Sequence, residues 1–253
     1  MVPDAFWPVL LGVLGAVFGS FIATLAIRWP RARSVAGASR SACDSCGRPL
    51  RPHELIPILS FAMLRGRCSA CGAAIPVSHV VTELLGAGIG IACGLVAPGI
   101  EGAVGAVFGW LLLSLAALDL AAFWLPNILN AALAATGLMT GLAGIGVPLT
   151  DRLIGGVAGY ATLMAVAAGY RGLRGREGLG GGDPKLFGAI GLWLGWQALP
   201  LVLLVACMIG FAVIAALRLG GRPMGMQDRL PLGVMLAAAA WMTWFGQIWE
   251  GMG

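Results

Sequence analysis

Residues 6–27 read FWPVLLGVLGAVFGSFIATLAI, an unbroken run without a single charged side chain. A helix rises about 1.5 Å per residue, so this stretch is long enough to cross the ~30 Å hydrocarbon core of a bilayer. A signal peptide would carry a basic segment ahead of its apolar run. Here Asp4 precedes the run and the arginines, beginning with Arg28, follow it. The segment is expected to be a retained membrane helix with its N-terminus outside.

The rest of the chain fits that beginning. Apolar residues make up 59% of the 253 positions, charged residues only 11%, and the mean hydropathy is +0.91, which excludes an ordinary soluble domain. Further apolar stretches fall near 80–97, 102–118 and 127–147, then from after Arg152 to Tyr170, from Asp183 to Trp196, and at 199–217 and 231–249. The expected fold class is an all-α polytopic membrane protein of about eight transmembrane helices. A small cytoplasmic zinc-binding module is expected after the first helix. The domain reading is helix 1 over 1–27, the module over 28–79 and a membrane domain over 80–253. Glycines at four-residue spacing, such as Gly15/Gly19, Gly86/Gly90/Gly94 and Gly155/Gly159, allow close helix packing in lipid.

Charge sets the orientation. With the N-terminus outside, the first loop (eight arginines), residues 171–185 (four basic residues) and residues 218–229 (three) are cytoplasmic. Arg152 is then the one basic residue outside, in a short connection, so the positive-inside rule is obeyed almost throughout. The net charge of +5 therefore belongs to membrane topology and does not point to nucleic acid.

Cys43, Cys46, Cys68 and Cys71 form a C-x2-C-x21-C-x2-C pattern, with Gly47 and Gly72 directly after each pair. This is the spacing of a four-thiolate zinc site. Disulfides compete with that reading, but a cytoplasmic address disfavours them. Four thiolates leave no open position on the metal, so the ion is expected to be structural. Cys93 and Cys207 lie in apolar spans and read as packing residues.

The chain has eleven carboxylates. Asp4, Asp44, Glu54, Glu101, Asp151, Glu177, Asp228 and Glu250 fall in loops or at ends and read as solvated. Glu83, Asp119 and Asp183 lie in or beside spans, where an ionisable group is a functional candidate. Glu83 reads as a structural bond to a neighbouring helix or a cytoplasmic arginine. Asp183, in Gly180-Gly181-Gly182-Asp183-Pro184-Lys185, reads as an N-cap with Pro184 opening the helix and the glycines leaving the approach flexible. Asp119 ends the third span. Both acids fall at one membrane face, and two carboxylates in differing environments can share a proton and activate water.

These residues resemble the bacterial type IV prepilin peptidases, membrane aspartic proteases of the GxGD class. Gly180-Gly181-Gly182-Asp183-Pro184-Lys185-Leu186 is similar to that family's GxGDxKL motif. Asp119 with Leu125-Pro126 is similar to its second catalytic segment. Gly19-Ser20-Phe21, Glu54-Leu55-Ile56-Pro57, Arg65-Gly66-Arg67-Cys68, Glu83-Leu84-Leu85 and Pro231-Leu232-Gly233 extend the resemblance over most of the chain. Ala121, Asn127 and Pro184 depart from it, since the family often carries acids at the first two positions and a non-proline at the third.

The resemblance implies catalytic Asp119 and Asp183 on a loop containing Gly180, Gly182 and Lys185. It also implies cleavage of the leader of prepilins or pseudopilins at the cytoplasmic face of the bacterial inner membrane. N-methylation of the new amine with S-adenosylmethionine rests on the resemblance alone. Lys185, two residues past Asp183, is expected to snorkel to lipid headgroups or hold the turn. Two rivals stand beside this reading: a proton-coupled transporter with a zinc module, and a non-catalytic membrane scaffold.

Overall fold

The computed structural model describes residues 5–31, 42–175, 178–221 and 229–251. Asp4, Glu177 and Asp228, all read above as solvated, lie outside the described residues, and the Glu250 side chain is likewise not described. The chain divides into two compact units, 1–117 and 118–253. The division falls inside one helix, Ile100–Ala122.

The first unit contains α1 (Phe6–Arg28), the short α2 (Leu59–Met63), α3 (Val77–Val96) and most of α4 (Ile100–Ala122). Here α1 packs along α3 backbone to backbone. Gly15 faces Gly86, Gly90 faces the Leu11 carbonyl, and a Cβ at any of these positions would run into the opposing chain. The glycine spacing seen in the sequence is thus a packing seam, as expected where close contact rather than the hydrophobic effect drives helix association.

The second unit contains the end of α4, then α5 (Asn127–Leu142), α6 (Leu149–Arg174), α7 (Asp183–Leu194), α8 (Leu199–Leu219) and α9 (Leu232–Gly251). Proline stands just before or inside the start of each of α5 to α9: Pro126, Pro148, Pro184, Pro200 and Pro231. Proline lacks an N–H and has its φ preset, so it opens a helix without forfeiting a hydrogen bond. At the other end, Gly175 closes α6 in the left-handed conformation (φ 66°), which a side chain disfavours.

Each expected span coincides with a helix. Among the described residues six helices are long and apolar enough to cross a membrane: α1, α3, α4, α6, α8 and α9. The remaining two, α5 and α7, are shorter, at 16 and 12 residues. A 12-residue helix rises only about 18 Å. Side chains such as Val157, Phe211 and Leu219 on the long helices are more than 70% exposed, as a lipid-facing surface requires.

Helix α7 is the centre of the second unit. Nearly all its residues are buried, and it touches α5, α6, α8 and α9. Its C-terminal carbonyls, which no further helical turn satisfies, are taken by side chains from its neighbours. Arg152 Nη1 donates to Leu192 O at 3.0 Å, and Gln247 Nε2 donates to Leu194 O at 3.0 Å.

Arg152 corrects the sequence reading. It lies not in a short connection before α6 but in the first turn of α6, only 3% exposed. Its guanidinium also donates to the carbonyls of Gly137, Ile145 and Val147 and to Thr140 Oγ1. A cation gathered by the carbonyl ends of α5 and α7 complements both helix dipoles, and among the described residues it has no carboxylate partner.

Candidate functional site

Asp119 lies in the last turn of α4 and is 5% exposed, and Asp183 is the first residue of α7 and 7% exposed. The two carboxylates come within electrostatic reach of each other. Leu125 explains how. A Cβ on Gly182 would sit 2.6 Å from Leu125 Cβ, and one on Gly233 would sit 3.1 Å from Leu125 Cδ2 and 2.8 Å from Asp119 Oδ2. The Leu125-Pro126 turn after α4 is therefore gripped between the glycine run before α7 and the start of α9.

The helix start differs by one residue from the expectation. Gly182, not Asp183, is the N-cap, and Pro184 follows at the second helical position. Asp183 reaches backward instead, its Oδ2 accepting the Gly180 N–H at 3.0 Å. The glycines serve close approach here: Gly182 has an ordinary φ of −85°, and it is the space beside Leu125 that a side chain would fill.

Asp119 is held by an element to which the sequence reading gave no role. Its Oδ2 accepts the Val234 N–H at 3.2 Å from the first turn of α9. Helix N-termini carry unsatisfied N–H groups and the positive end of the dipole, so this end suits a carboxylate. The signal was Pro231-Leu232-Gly233, a helix opening with no bulk near the acid.

Lys185 does not reach away from the site. Its Nζ donates to Asn127 Oδ1 at 2.7 Å, joining the start of α7 to the start of α5. Asn130, buried one turn later, donates from Nδ2 to Pro126 O at 3.4 Å, while its Oδ1 has no partner among the described residues.

The four cysteines Cys43, Cys46, Cys68 and Cys71 converge, with sulfur atoms all within 4.8 Å of one another and no disulfide among them. A tetrahedral zinc ion with Zn–S bonds of about 2.3 Å needs sulfurs about 3.8 Å apart, so a small inward adjustment suffices. Each pair sits in the same turn. Cys43 N bonds Arg48 O at 2.9 Å and Cys68 N bonds Ala73 O at 2.8 Å, and each turn is completed by a glycine in the left-handed region, Gly47 (φ 71°) or Gly72 (φ 70°). The N–H groups of Cys71 and Ala70 draw the Cys68 thiol down to about 6, while the neighbouring cysteines push the Cys71 thiol up to about 11, so the cluster shares its protons.

Glu54 is another correction. Read as solvated, it is buried and ties the two turns together. It accepts the Arg51 N–H at 2.8 Å, the Ser69 hydroxyl at 2.5 Å and the Arg48 guanidinium at 2.7 Å. These bonds hold its carboxyl down at about 2. Among the described residues Glu83 bonds no arginine; its Oε2 accepts the Ile58 N–H at 2.7 Å.

An all-helical membrane protein with a buried acid pair and a four-cysteine cluster is the class these features define. The family model "Bacterial Peptidase A24 N-terminal domain" matches residues 13–97, and "Type IV leader peptidase family" matches residues 106–215. The chain is 40% identical over 206 residues to the prepilin leader peptidase/N-methyltransferase of Aeromonas hydrophila, covering 81% of this chain and 70% of that protein. The proteins of the same name from Burkholderia pseudomallei (strain K96243) and Dickeya chrysanthemi are 41% and 36% identical. Those alignments cover 81% and 93% of this chain, and 67% and 91% of the relatives. No solved structure matches. The chain belongs to the type IV leader peptidase family.

Proposed function

We propose that this chain is a membrane aspartic endopeptidase that cleaves the leader peptide of prepilins or pseudopilins and N-methylates the new N-terminus with S-adenosylmethionine. The observation that carries the peptidase reading is the buried pair Asp119 and Asp183, brought within reach of each other from helices 64 residues apart in sequence.

In this reading the pair holds the attacking water. One carboxylate takes its proton while the protonated partner polarises the scissile carbonyl. Two acids so close titrate as a unit, so neither step belongs to one residue at all times. Gly180, Gly182 and Lys185 shape the loop that presents Asp183. The N–H of Val234 orients Asp119.

Residues 28–79 are the zinc module and 80–253 carry the protease chemistry. Cys43, Cys46, Cys68 and Cys71 are the ligands of a structural zinc ion. The protein lies in the bacterial inner membrane with its N-terminus outside and its acid pair at the cytoplasmic face. In this arrangement α5 and α7 complete eight crossings. The positive-inside pattern supports the orientation. Acids gathered at one face and the names of the relatives favour a peptidase over a proton-coupled transporter, which would distribute its acids along a pathway across the membrane.

The test is leader cleavage of a prepilin by purified Asp119→Asn and Asp183→Asn variants, followed by mass spectrometry. Each is expected to lose about 10³-fold or more, in keeping with the loss of a general acid or base. Full cleavage by either variant overturns the assignment.

A further inference from the structure

Between the two Cys turns lies a stretch more apolar than a solvated loop requires. Leu55, Ile56, Leu59 and Met63 are exposed, Leu59 by 59% and Met63 by 72%. The last two share one face of α2 at i and i+4. Exposed apolar side chains gathered in one place mark a surface that meets lipid or a partner.

Two hydrogen bonds set the level of this stretch against α3. The Ile75 N–H, just ahead of α3, donates to Gly66 O at 2.8 Å, so Gly66 lies level with the start of that helix. The Ile58 N–H donates to Glu83 Oε2 at 2.7 Å, well inside α3. The 20 residues of α3 rise about 30 Å, the thickness of the hydrocarbon core, so a crossing leaves no turn of it to protrude. From Val77 to Glu83 the rise is about 9 Å. Even with the Glu83 side chain leaning back toward the helix start, Ile58 lies roughly 5 Å or more inside the apolar layer. Ile58 holds φ 64°, which a β-branched residue adopts only where its surroundings fix it.

The backbone suits that depth, where polar groups must be satisfied within the protein. The N–H groups of Leu59, Ser60, Ala62 and Leu64 donate to carbonyls of the same stretch, and that of Ile58 goes to Glu83. Beyond α2 the chemistry changes. Arg65 and Arg67 flank Gly66, both exposed, and among the described residues neither pairs with a carboxylate. They stand where α3 begins, at the level of the lipid headgroups, and a guanidinium there suits a phosphate. The helix to which Ile58 is docked itself exposes Val77, Val81 and Leu84, spaced along one flank as a lipid-facing stripe.

We propose that residues 55–64 form a re-entrant segment seated in the leaflet where α3 begins. Leu55, Ile56, Leu59 and Met63 enter the acyl chains, and Arg65 and Arg67 bind the phosphates of acidic phospholipid. The occupant is lipid because the Glu83 bond places the apolar face at acyl depth whether or not another chain is near. The segment anchors the second Cys turn, which starts at Cys68, to the membrane surface.

The test uses the full chain with methyl-labelled methionine in nanodiscs of phosphatidylcholine and phosphatidylglycerol. The Met63 signal is assigned by its disappearance in Met63→Leu. Met208, exposed on α8, is the lipid-facing reference. A doxyl group near the head of an acyl chain is expected to broaden Met63 and Met208 alike, while a water-soluble gadolinium chelate spares both. Broadening of Met63 by the chelate but not by the lipid label overturns the proposal, because the face is then solvated. Broadening by neither overturns it as well, because protein, such as a second copy of this chain, then covers the face.

A second arm places the doxyl label on either phosphatidylglycerol or phosphatidylcholine. Two interfacial arginines are expected to enrich the acidic lipid about fivefold or more beside Met63. The double substitution Arg65→Gln and Arg67→Gln is expected to erase that preference while Met63 stays in lipid. Equal broadening by both lipids in wild type overturns the phosphate assignment.

Discussion

Asp119 Oδ2 accepts the backbone N–H of Val234, 115 residues further along the chain, at 3.2 Å. Gly233 lies directly against the same oxygen, so the start of α9 both orients this acid and leaves room for it. A Gly233→Ala substitution would place a methyl group 2.8 Å from Asp119 Oδ2 and 3.1 Å from Cγ. Displacing a reacting group by about an ångström costs roughly 100-fold in rate. The expected result is that loss in kcat for leader cleavage with little change in KM, measured by steady-state kinetics on a prepilin peptide.

Lys185 and Asn127 join the start of α7, which bears Asp183, to the start of α5, just after the Leu125-Pro126 turn. The contact is exposed, so its energy is modest, with a coupling of at most about 1 kcal/mol. Lys185→Met and Asn127→Ala are each expected to lower kcat/KM severalfold, and the double variant to lower it no further. Asn127→Asp, which converts the contact to an ion pair, retains full cleavage. A double-mutant cycle on cleavage rates checks this.

Arg152 satisfies carbonyls at the ends of α5 and α7 and in the loop between α5 and α6. Arg152→Met strips those acceptors of their donors in a buried place and is expected to destabilise the second unit by about 2–3 kcal/mol. Thermal unfolding in detergent reads this as a lowered melting temperature. Arg152→Lys recovers part of the loss, because an ammonium cannot reach all the acceptors of a guanidinium.

The Cys cluster is expected to hold one zinc ion per chain, measured by elemental analysis of the purified protein. Cys43→Ser or Cys68→Ser loses the ion and loosens residues 42–75, seen as faster hydrogen exchange there.

Glu54 makes a pH prediction for the same module. Its carboxyl is held at about 2 in the folded protein by the Arg51 N–H, Ser69 and Arg48, below the ~4.3 of an unperturbed glutamate. Its stabilising contribution is therefore complete above that unfolded value and is lost as pH falls toward the folded one. Metal release on acidification is common to wild type and Glu54→Gln. The stability difference between them is expected to be constant from pH 7 to 5 and to shrink below about pH 4.3, as followed by thermal melts.

The membrane character, the helix positions and the Cys pattern were legible in the sequence, because each depends on local properties: apolar length, proline placement and short spacing. Asp119 and Asp183 were legible as a pair through their motifs. Glu54 was misread because its place in a polar loop gave no sign that three donors surround it. Arg152 was misread because a lone arginine between two spans has the same sequence appearance whether it faces water or fills a socket of carbonyls.

Sequence by itself thus determined that this is a helical membrane protein with two candidate acids and a four-cysteine pattern, since hydrophobic length and motif spacing are properties of contiguous residues. Tertiary structure alone decided that the start of α9 holds Asp119, that Leu125 lies between two glycines, and that Glu83 holds the Ile58 N–H. Those relationships join residues tens of positions apart, and the close packing that creates them has no local trace in the chain.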